Sequence, residues 1–478
     1  MLNPPFVPRF GRSARWQNAG RGGTLYYPLW LSYATGLLEK NGHDVKLVDA
    51  PAKNFDMLYV LNDLEKYKPD LVVIDTSFPS LKNDLNIANN IKKISSAKVV
   101  AVGPPTSQVS ERMLSEGVDL VARYEYDWTI AELATAIEKG KDIASINGVS
   151  YKNSNQKVIH NRDRPLSTGD DLDRLPFVSQ TYSKHLDIHD YNLSSSLFPE
   201  VQIMASRGCP HKCTFCSWPQ TFTGRVYRKR KTDNVFDELK WIKSNFKAVR
   251  EVVFEDDTFG LGGSWIEDLC RRIISEKLDI VWNCQVRAGM DLKTLNLMAR
   301  AGCRLVIVGF ESASQEILNN VSKGTTVKQL EKMADNVRKS GIQLHADFVF
   351  GLPGETKATI GQTINFIRKI KPDIIQLSVA APFPGTEFYN YLKNNSYLRT
   401  ENLDDYLDAN GNQQGIVNYP WLGSDEIERL VDQALKRYYF SLSYIPIFLR
   451  QMRRKNRLEE TRRIVKAATS FARYIGNH

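Results

Sequence analysis

Cys209, Cys213 and Cys216 constrain this chain more than any other feature. They stand in the stretch Ser206-Arg207-Gly208-Cys209-Pro210-His211-Lys212-Cys213-Thr214-Phe215-Cys216, a C-x3-C-x2-C spacing. Thiolate is the soft ligand that iron–sulfur clusters select. Three thiolates can hold three irons of a four-iron cluster and leave the fourth without a protein ligand, which suits chemistry better than electron carriage. The alternatives are a zinc site or plain core cysteines. A closed structural zinc site takes four ligands, and His211 sits inside the three-residue gap, where the chain is poorly placed to wrap one metal. Val201–Ala205 reads as a strand, so the loop leaves a strand's carboxyl end.

The chain has 478 residues, room for two or three domains with sizeable cores. Hydrophobic content of 42% and charged content of 25% are those of a soluble globular protein. Six cysteines are too few for a disulfide framework, and Cys270, Cys284 and Cys303 lie in apolar surroundings that suit a core, so a reducing cytoplasm is expected. No charged segment followed by an apolar one opens the chain, and no uncharged apolar run reaches the roughly eighteen residues of a membrane span. The net charge of +10 is uneven: eleven Lys/Arg against Glu459 and Glu460 put +9 of it between Lys436 and His478.

Strands and helices alternate through the first 150 residues. Asp44–Asp49, Asp70–Asp75, Lys98–Val102 and Asp119–Ala122 read as strands, with helices over Leu58–Tyr67, Leu85–Ile94, Ser110–Glu116 and Thr129–Glu138. Near-continuous apolar strands at this spacing argue a doubly wound parallel sheet, with ligands off the strands' carboxyl ends. Thr76 and Ser77, Gly103 and Glu125 are the candidates there. A small hairpin, Gly148–His160, leads into a polar linker. From Val201 the alternation resumes, with strands at Glu251–Glu255, Val281–Val286, Leu305–Val308, Gln343–Phe350 and Ile374–Val379 and helices between them.

Five of these later strand ends carry signals. Glu255-Asp256-Asp257 offers carboxylates, and Arg287 follows the third strand, as a ligand's carboxylate partner or in a structural ion pair. Gly309-Phe310-Glu311-Ser312 and Phe350-Gly351-Leu352-Pro353-Gly354-Glu355 follow the fourth and fifth strands, and Ala381-Pro382-Phe383-Pro384-Gly385 follows the sixth. Singly each is a turn. In this order behind the cysteines they closely resemble the radical S-adenosylmethionine (SAM) enzymes. That resemblance implies a partial (β/α)6 barrel. It implies a [4Fe-4S] cluster on Cys209, Cys213 and Cys216, and SAM chelating its unique iron. SAM contacts would come from Phe215, Asp256, Arg287, Glu311, Gly351 and Pro353. An electron from the cluster, supplied by a reducing partner such as a flavodoxin or ferredoxin, would release a 5′-deoxyadenosyl radical from SAM.

The whole chain resembles the radical SAM proteins with an N-terminal cobalamin (B12)-binding domain. Tyr26-Tyr27-Pro28-Leu29-Trp30-Leu31, Val48-Asp49-Ala50-Pro51 and Ser217-Trp218-Pro219-Gln220-Thr221 look most like the hopanoid-biosynthesis-associated branch. The expected fold is α/β: a Rossmann-like B12-binding-type domain over 1–150, hairpin and linker over 151–195, a radical SAM core over 196–400, and a basic helical C-terminal extension over 401–478. The B12 half departs from its pattern. Gly103-Pro104-Pro105 stands where the family shows Gly-Gly-Pro, and Arg123-Tyr124-Glu125-Tyr126-Asp127 where it shows Arg-Gly-Glu-x-Glu. Two lost glycines weigh against a corrin, and the sequence leaves cobalamin open.

The first expectation is therefore radical C–H activation leading to carbon–carbon bond formation or rearrangement, on a lipid-linked, hopanoid-like substrate or another small molecule. Cobalamin-dependent C-methylation is the alternative, and a non-catalytic B12-type binding protein the second. Arg225-Val226-Tyr227-Arg228-Lys229-Arg230-Lys231 is a short basic run of the kind that is usually solvated, and nucleic acid is not expected as a partner. The tail pairs aromatic and apolar residues, Tyr438–Phe440 and Tyr444–Leu449, with Arg450, Arg453, Arg454, Lys455 and Arg457. That composition fits either a contact with the inner face of an anionic membrane or a helix packed across the open side of the barrel.

Overall fold

The computed structural model describes residues 1–12, 17–18, 23–452 and 456–476, with side chains through residue 469. The chain gathers into two compact units. One comprises Met1–Asn192, Ser217–Gly224 and Asn402–Gln413, the other Leu193–Cys216, Arg225–Glu401 and Gln414–His478.

The first unit is built on a seven-stranded sheet. Its strands are β1 (Leu2–Asn3), β2 (Val48–Asp49), β3 (Leu71–Asp75), β4 (Lys98–Val102), β5 (Leu120–Ala122), β6 (Val149–Lys152) and β7 (Val158–His160), in the order β2-β1-β3-β4-β5-β6-β7. The pairs from β2 through β5 are parallel, and β5–β6 and β6–β7 are antiparallel. Val72–Ile74 and Val99–Val102 are buried on both faces, as helix-covered parallel strands require. β1 sits between β2 and β3 although it is only two residues long. A buried ion pair fixes this edge: Arg12 Nη2 lies 2.6 Å from Asp84 Oδ1, and Arg12 Nη1 donates to Asn3 Oδ1 at 3.0 Å. Burial raises Asp84, with Arg12 opposing.

The second unit carries six parallel strands, β8 (Glu200–Ile203), β11 (Glu251–Phe254), β12 (Trp282–Val286), β13 (Cys303–Glu311), β14 (Gln343–Phe350) and β15 (Ile374–Val379). β9 (Ser206–Arg207) and β10 (Arg228–Lys229) form a separate antiparallel ribbon. The large sheet runs β15-β14-β13-β12-β11-β8 and its two end strands are not neighbours, so it is an open barrel. One face packs on the helices. Phe310 and Phe348 stack with ring centroids 5.4 Å apart, and Phe310 lies 6.2 Å from Phe366 of the helix Lys357–Ile370. Phe254, Phe259, Trp265 and Trp282 form a second aromatic cluster on this face.

The tail closes the amino-terminal ends of these strands. Tyr444 donates to Asp373 O at 3.2 Å, Arg450 Nη2 to Asp373 Oδ1 at 2.9 Å, and Gln451 Nε2 to Asp373 O at 3.1 Å. Deeper, Arg304 at the start of β13 meets Glu251 Oε1 at 2.8 Å and Glu460 Oε1 at 2.8 Å, and Glu460 also accepts from Arg463 at 2.9 Å. These carboxylates and guanidiniums are all buried. Tyr438, Tyr439 and Tyr444, expected as interfacial aromatics, have their hydroxyls on the backbone at residues 372–375. Phe440, Leu442, Ile445 and Leu449 remain exposed. Arg453, Arg454 and Lys455 lie outside the described residues. Among the described residues no helix is long and apolar enough to cross a membrane.

Candidate functional site

The cysteine loop is rooted between two strand ends. Gly208 N donates to Asp257 Oδ2 at 2.8 Å, and Ala205 N to Asp256 Oδ1 at 2.9 Å, while Ser206 Oγ donates to Asp256 Oδ2. Gly208 has φ +81°, and a Cβ there would stand 2.1 Å from Val226 O, so no other residue turns this corner. Asp256 is fully buried and its carboxyl is pushed up to about 7, chiefly by burial. Asp256, expected as a SAM contact, has both its oxygens bonded within the loop's root.

Cys213 is buried, Cys209 and Cys216 are half-buried, and none is in a disulfide. Among the described residues no three His, Cys, Asp or Glu side chains converge on a single metal ion. A four-iron cluster takes each thiolate on a different iron and keeps the sulfurs apart. Phe215 is half-buried beside them.

Cationic groups lie beside the loop. Lys323, which the sequence gave no reason to single out, donates to Glu311 Oε1 at 2.6 Å, and both are buried. Burial lowers Lys323, but Glu311 and the Cys213 sulfur outweigh it and the ammonium is held above its ordinary value. Glu311 sits at φ +60°, a left-handed conformation that folds its carboxylate back over Gly309. A Cβ on Gly309 would lie 2.4 Å from Glu311 Oε1 and 3.0 Å from Lys323 Nζ, which explains the glycine. Arg287 Nη2 donates to Thr325 Oγ1 at 3.2 Å. His211 Nε2 is buried without a hydrogen-bond partner. Burial, then Arg287 and Lys323, push its imidazole down to about 4, so the ring is neutral. Cys213, Lys323, Glu311, Arg287 and His211 thus share one neighbourhood.

Gly351 and Pro353 are buried in backbone bonding. Gly351, at φ +95°, donates N–H to Glu355 Oε2 at 2.6 Å and accepts from Tyr419 at 3.0 Å, and Pro353 O accepts from Asn320 at 2.9 Å. Burial pushes the Glu355 carboxyl up to about 8.

In the first unit, Thr76 and Gly103 meet at the ends of β3 and β4. Thr76 Oγ1 donates to Val102 O at 2.6 Å, and a Cβ on Gly103, at φ +109°, would stand 2.3 Å from Thr76 O. Ser77 Oγ lies 2.5 Å from Ser80 Oγ, and Glu125 is buried. Arg123 points into the hairpin, onto Ser150, Asn161 O and Asp163. Tyr124 has φ +58°, so the backbone takes the left-handed turn that glycine would have eased. The segment after the cysteines belongs here too: Phe222 packs 4.6 Å from Trp30 and 5.7 Å from Trp218.

Residues 203–367 match the Radical SAM superfamily, and residues 18–134 match the B12 binding domain. An uncharacterized methyltransferase of Pyrococcus horikoshii is 31% identical over 421 residues, 87% of this chain and 88% of that one. The chain belongs to the radical SAM enzymes that carry a B12-binding domain. Among other relatives, the anaerobic magnesium-protoporphyrin IX monomethyl ester cyclase of Rubrivivax gelatinosus is 26% identical over 76% of this chain and 66% of that one. The hopanoid C-3 methylase of Methylococcus capsulatus is 24% identical over 76% of this chain and 68% of that one. The radical SAM methyltransferase TsrM of Kitasatospora setae, solved with tryptophan and a SAM analog, shares the fold. Its TM-score is 0.65 at 20% identity, over 81% of this chain and 82% of that one. This radical SAM chain thus carries the B12-type domain expected of it.

Proposed function

We propose that this chain is a cobalamin-dependent radical SAM methyltransferase acting on a small-molecule substrate. One observation carries the reading: a single chain pairs the cysteine loop at the barrel rim with a B12-type sheet end that keeps Gly103 and a left-handed Tyr124. The likeness to a methyltransferase along nearly its whole length supports it. Cys209, Cys213 and Cys216 would hold a [4Fe-4S] cluster, on a loop whose corner at Gly208 is pressed against Val226 O. Arg287, Lys323 and Glu311 would bind the carboxylate and amine of SAM, and Phe215 would face its adenine. Gly103, Thr76, Ser77 and Glu125 would line the corrin. When bound, the cluster with SAM supplies one-electron cleavage of SAM, and the corrinoid supplies the methyl group.

The protein's own part is positional. Asp256 and Asp257 fix the loop's root, and neutral His211 leaves the cationic work to Arg287 and Lys323. A low-potential donor such as a ferredoxin or flavodoxin would feed the cluster. Exposed Phe440, Leu442, Ile445 and Leu449 leave a peripheral membrane contact open to proposal, and with it a lipid-linked substrate.

A second reading, cyclisation or rearrangement, is supported by the cyclase relative. The test is anaerobic reconstitution with iron, sulfide and hydroxocobalamin, followed by SAM bearing a deuterated methyl group. Methyl transfer requires a tightly held corrinoid and about four irons per chain, with the label appearing in product. Turnover of SAM to 5′-deoxyadenosine with no corrinoid retained would favour cyclisation instead. Cys213→Ala with undiminished SAM cleavage would sink both.

A further inference from the structure

Five large apolar side chains stand in solvent within ten residues of the barrel unit. Phe440 is 73% exposed, Leu442 84%, Ile445 50%, Phe448 36% and Leu449 47%. Apolar residues scattered singly over a surface are ordinary, but a run of them marks an interaction surface. Ile445, Phe448 and Leu449 fall at the i, i+3 and i+4 positions of the helix Ile445–Met452, so they share one face. Phe440 and Leu442 lie beside and in the turn Leu442–Tyr444, which packs on that helix and on the helix Ser424–Tyr439.

A helix on a soluble surface turns its apolar stripe inward and its polar residues to water. The helix Ile445–Met452 does the reverse with most of its apolar residues. Gln451 is buried with Ile447 on the inner side, while Ile445, Phe448 and Leu449 look out. Gln451 Nε2 donates to Asp373 O at 3.1 Å, Arg450 Nη2 to Asp373 Oδ1 at 2.9 Å, and Tyr444 to Asp373 O at 3.2 Å. Rotating the helix to hide its apolar face would break these bonds, so the fold itself holds that face outward. Its surroundings are cationic. Lys436 and Arg437 are exposed in the last turn of the helix Ser424–Tyr439. Arg338, Lys371 and Arg450 line one hollow in which Asp373 is the one carboxylate among the described residues. Arg338 pairs with Asp335 and Arg450 with Asp373, whereas Lys371, Lys436 and Arg437 make no ion pair among the described residues.

We propose that this face docks the chain on an anionic phospholipid bilayer. Phe440, Leu442, Ile445, Phe448 and Leu449 would enter the boundary between headgroups and acyl chains, and Lys371, Lys436 and Arg437 would meet the lipid phosphates. The contact is peripheral, since among the described residues no helix is long and apolar enough to cross a membrane. Other occupants fit less well. A second copy of the chain, paired about a two-fold axis, would set the cationic surroundings against themselves. The one-electron donor belongs at the other end of the barrel: this face lies at the start of β15, whereas the cysteine loop follows the carboxyl end of β8, in a sheet whose strands are all parallel. The proposal takes up the membrane contact left open above and stands whether the barrel methylates or cyclises.

Vesicle flotation of the reconstituted full-length chain decides it. The chain should float with mixed phosphatidylglycerol–phosphatidylcholine vesicles at low salt, and much less with pure phosphatidylcholine or at high salt. Phe440→Ser combined with Leu442→Asp should lower partitioning at least about tenfold. Lys436→Gln combined with Arg437→Gln should lower it roughly thirtyfold. All four residues are exposed, so Tm, iron content and 5′-deoxyadenosine formation should match the wild type in both double variants. No flotation on the anionic vesicles at low salt would overturn the proposal. So would flotation that neither double variant weakens, or equal flotation on neutral vesicles. Light scattering supplies the remaining outcome: a dimer that the Phe440→Ser, Leu442→Asp variant dissociates would put a second copy on this face and overturn the bilayer. Absence of methyl transfer in the labelling assay leaves every one of these readings unchanged, so the two proposals fail independently.

Discussion

Gly309 is a glycine because a carboxylate needs the space, and that makes it the most informative single residue of the rim. Its φ is ordinary; the conflict would be steric, at 2.4 Å from Glu311 Oε1. Gly309→Ala must push the Glu311 carboxylate off Lys323. SAM affinity should fall at least about tenfold while iron content stays, at a stability cost of about 1–3 kcal/mol; binding of SAM to reconstituted variant and wild type checks it. Glu355 makes a different prediction. Its ordinary value of 4.5 rises to about 8 by burial, so the folded chain keeps a proton that the unfolded chain releases. Stability therefore falls as pH rises from 4.5 to about 8, by about 1.4 kcal/mol per unit, and levels off above that. Glu355→Gln removes this slope. Melting both proteins between about pH 5 and 9 should show the variant gaining on the wild type up to pH 8, and a constant difference would refute the assignment. The sequence pointed to Gly309 and Glu311 through a short motif, but not to Lys323. A lysine twelve residues further on, with no periodicity to mark it, becomes visible only when the strand end and the following turn are folded together.

At the scale of elements, what the sequence revealed follows burial. β3, β4 and β14 are long and nearly all apolar or regularly alternating, and they stand where the patterns put them. β1 has two residues, too few to carry any period, yet it is an interior strand of its sheet. In the tail one composition fits two readings. Aromatics beside arginines fit a membrane interface, and among them Tyr438, Tyr439, Tyr444 and Arg450 are used at the start of β15. The central test is Glu460. Removing it leaves Arg304 buried with one fewer anion, since Glu251 and Glu460 share it. Glu460→Ala should cost about 3–5 kcal/mol, the usual loss when a buried ion pair is broken. Denaturant melts read this directly. A change under about 1 kcal/mol would mean the helix Arg457–Gly476 is a loosely held appendage and would restore a mainly interfacial role.

Across the whole molecule, the two units carry separable chemistry, and each can be disabled alone. The corner at Gly208 belongs to the barrel unit, and the corner at Gly103 to the B12-type unit. Both reject a side chain for the same reason, a backbone oxygen within 2.3 Å of where Cβ would stand. Changing Cys209, Cys213 and Cys216 to Ala should remove iron and SAM cleavage, yet leave a corrinoid bound, because the cysteines belong to the barrel unit and Gly103 to the other. Gly103→Val should do the reverse. Its side chain would drive into Thr76 O and Asp75 Oδ1, parting the ends of β3 and β4 where a corrin would rest, while the barrel keeps its iron. Iron analysis and visible spectra of the two variants after gel filtration give the four readings needed. Tyr124→Gly adds a fifth: since Tyr124 already sits at φ +58°, glycine relieves about 1 kcal/mol of backbone strain and should leave corrinoid binding intact. If Gly103→Val still retains a full corrinoid, the ends of β3 and β4 are not its seat. If the wild type retains none, the B12-type domain is a scaffold only, and methyl transfer gives way to the cyclisation reading.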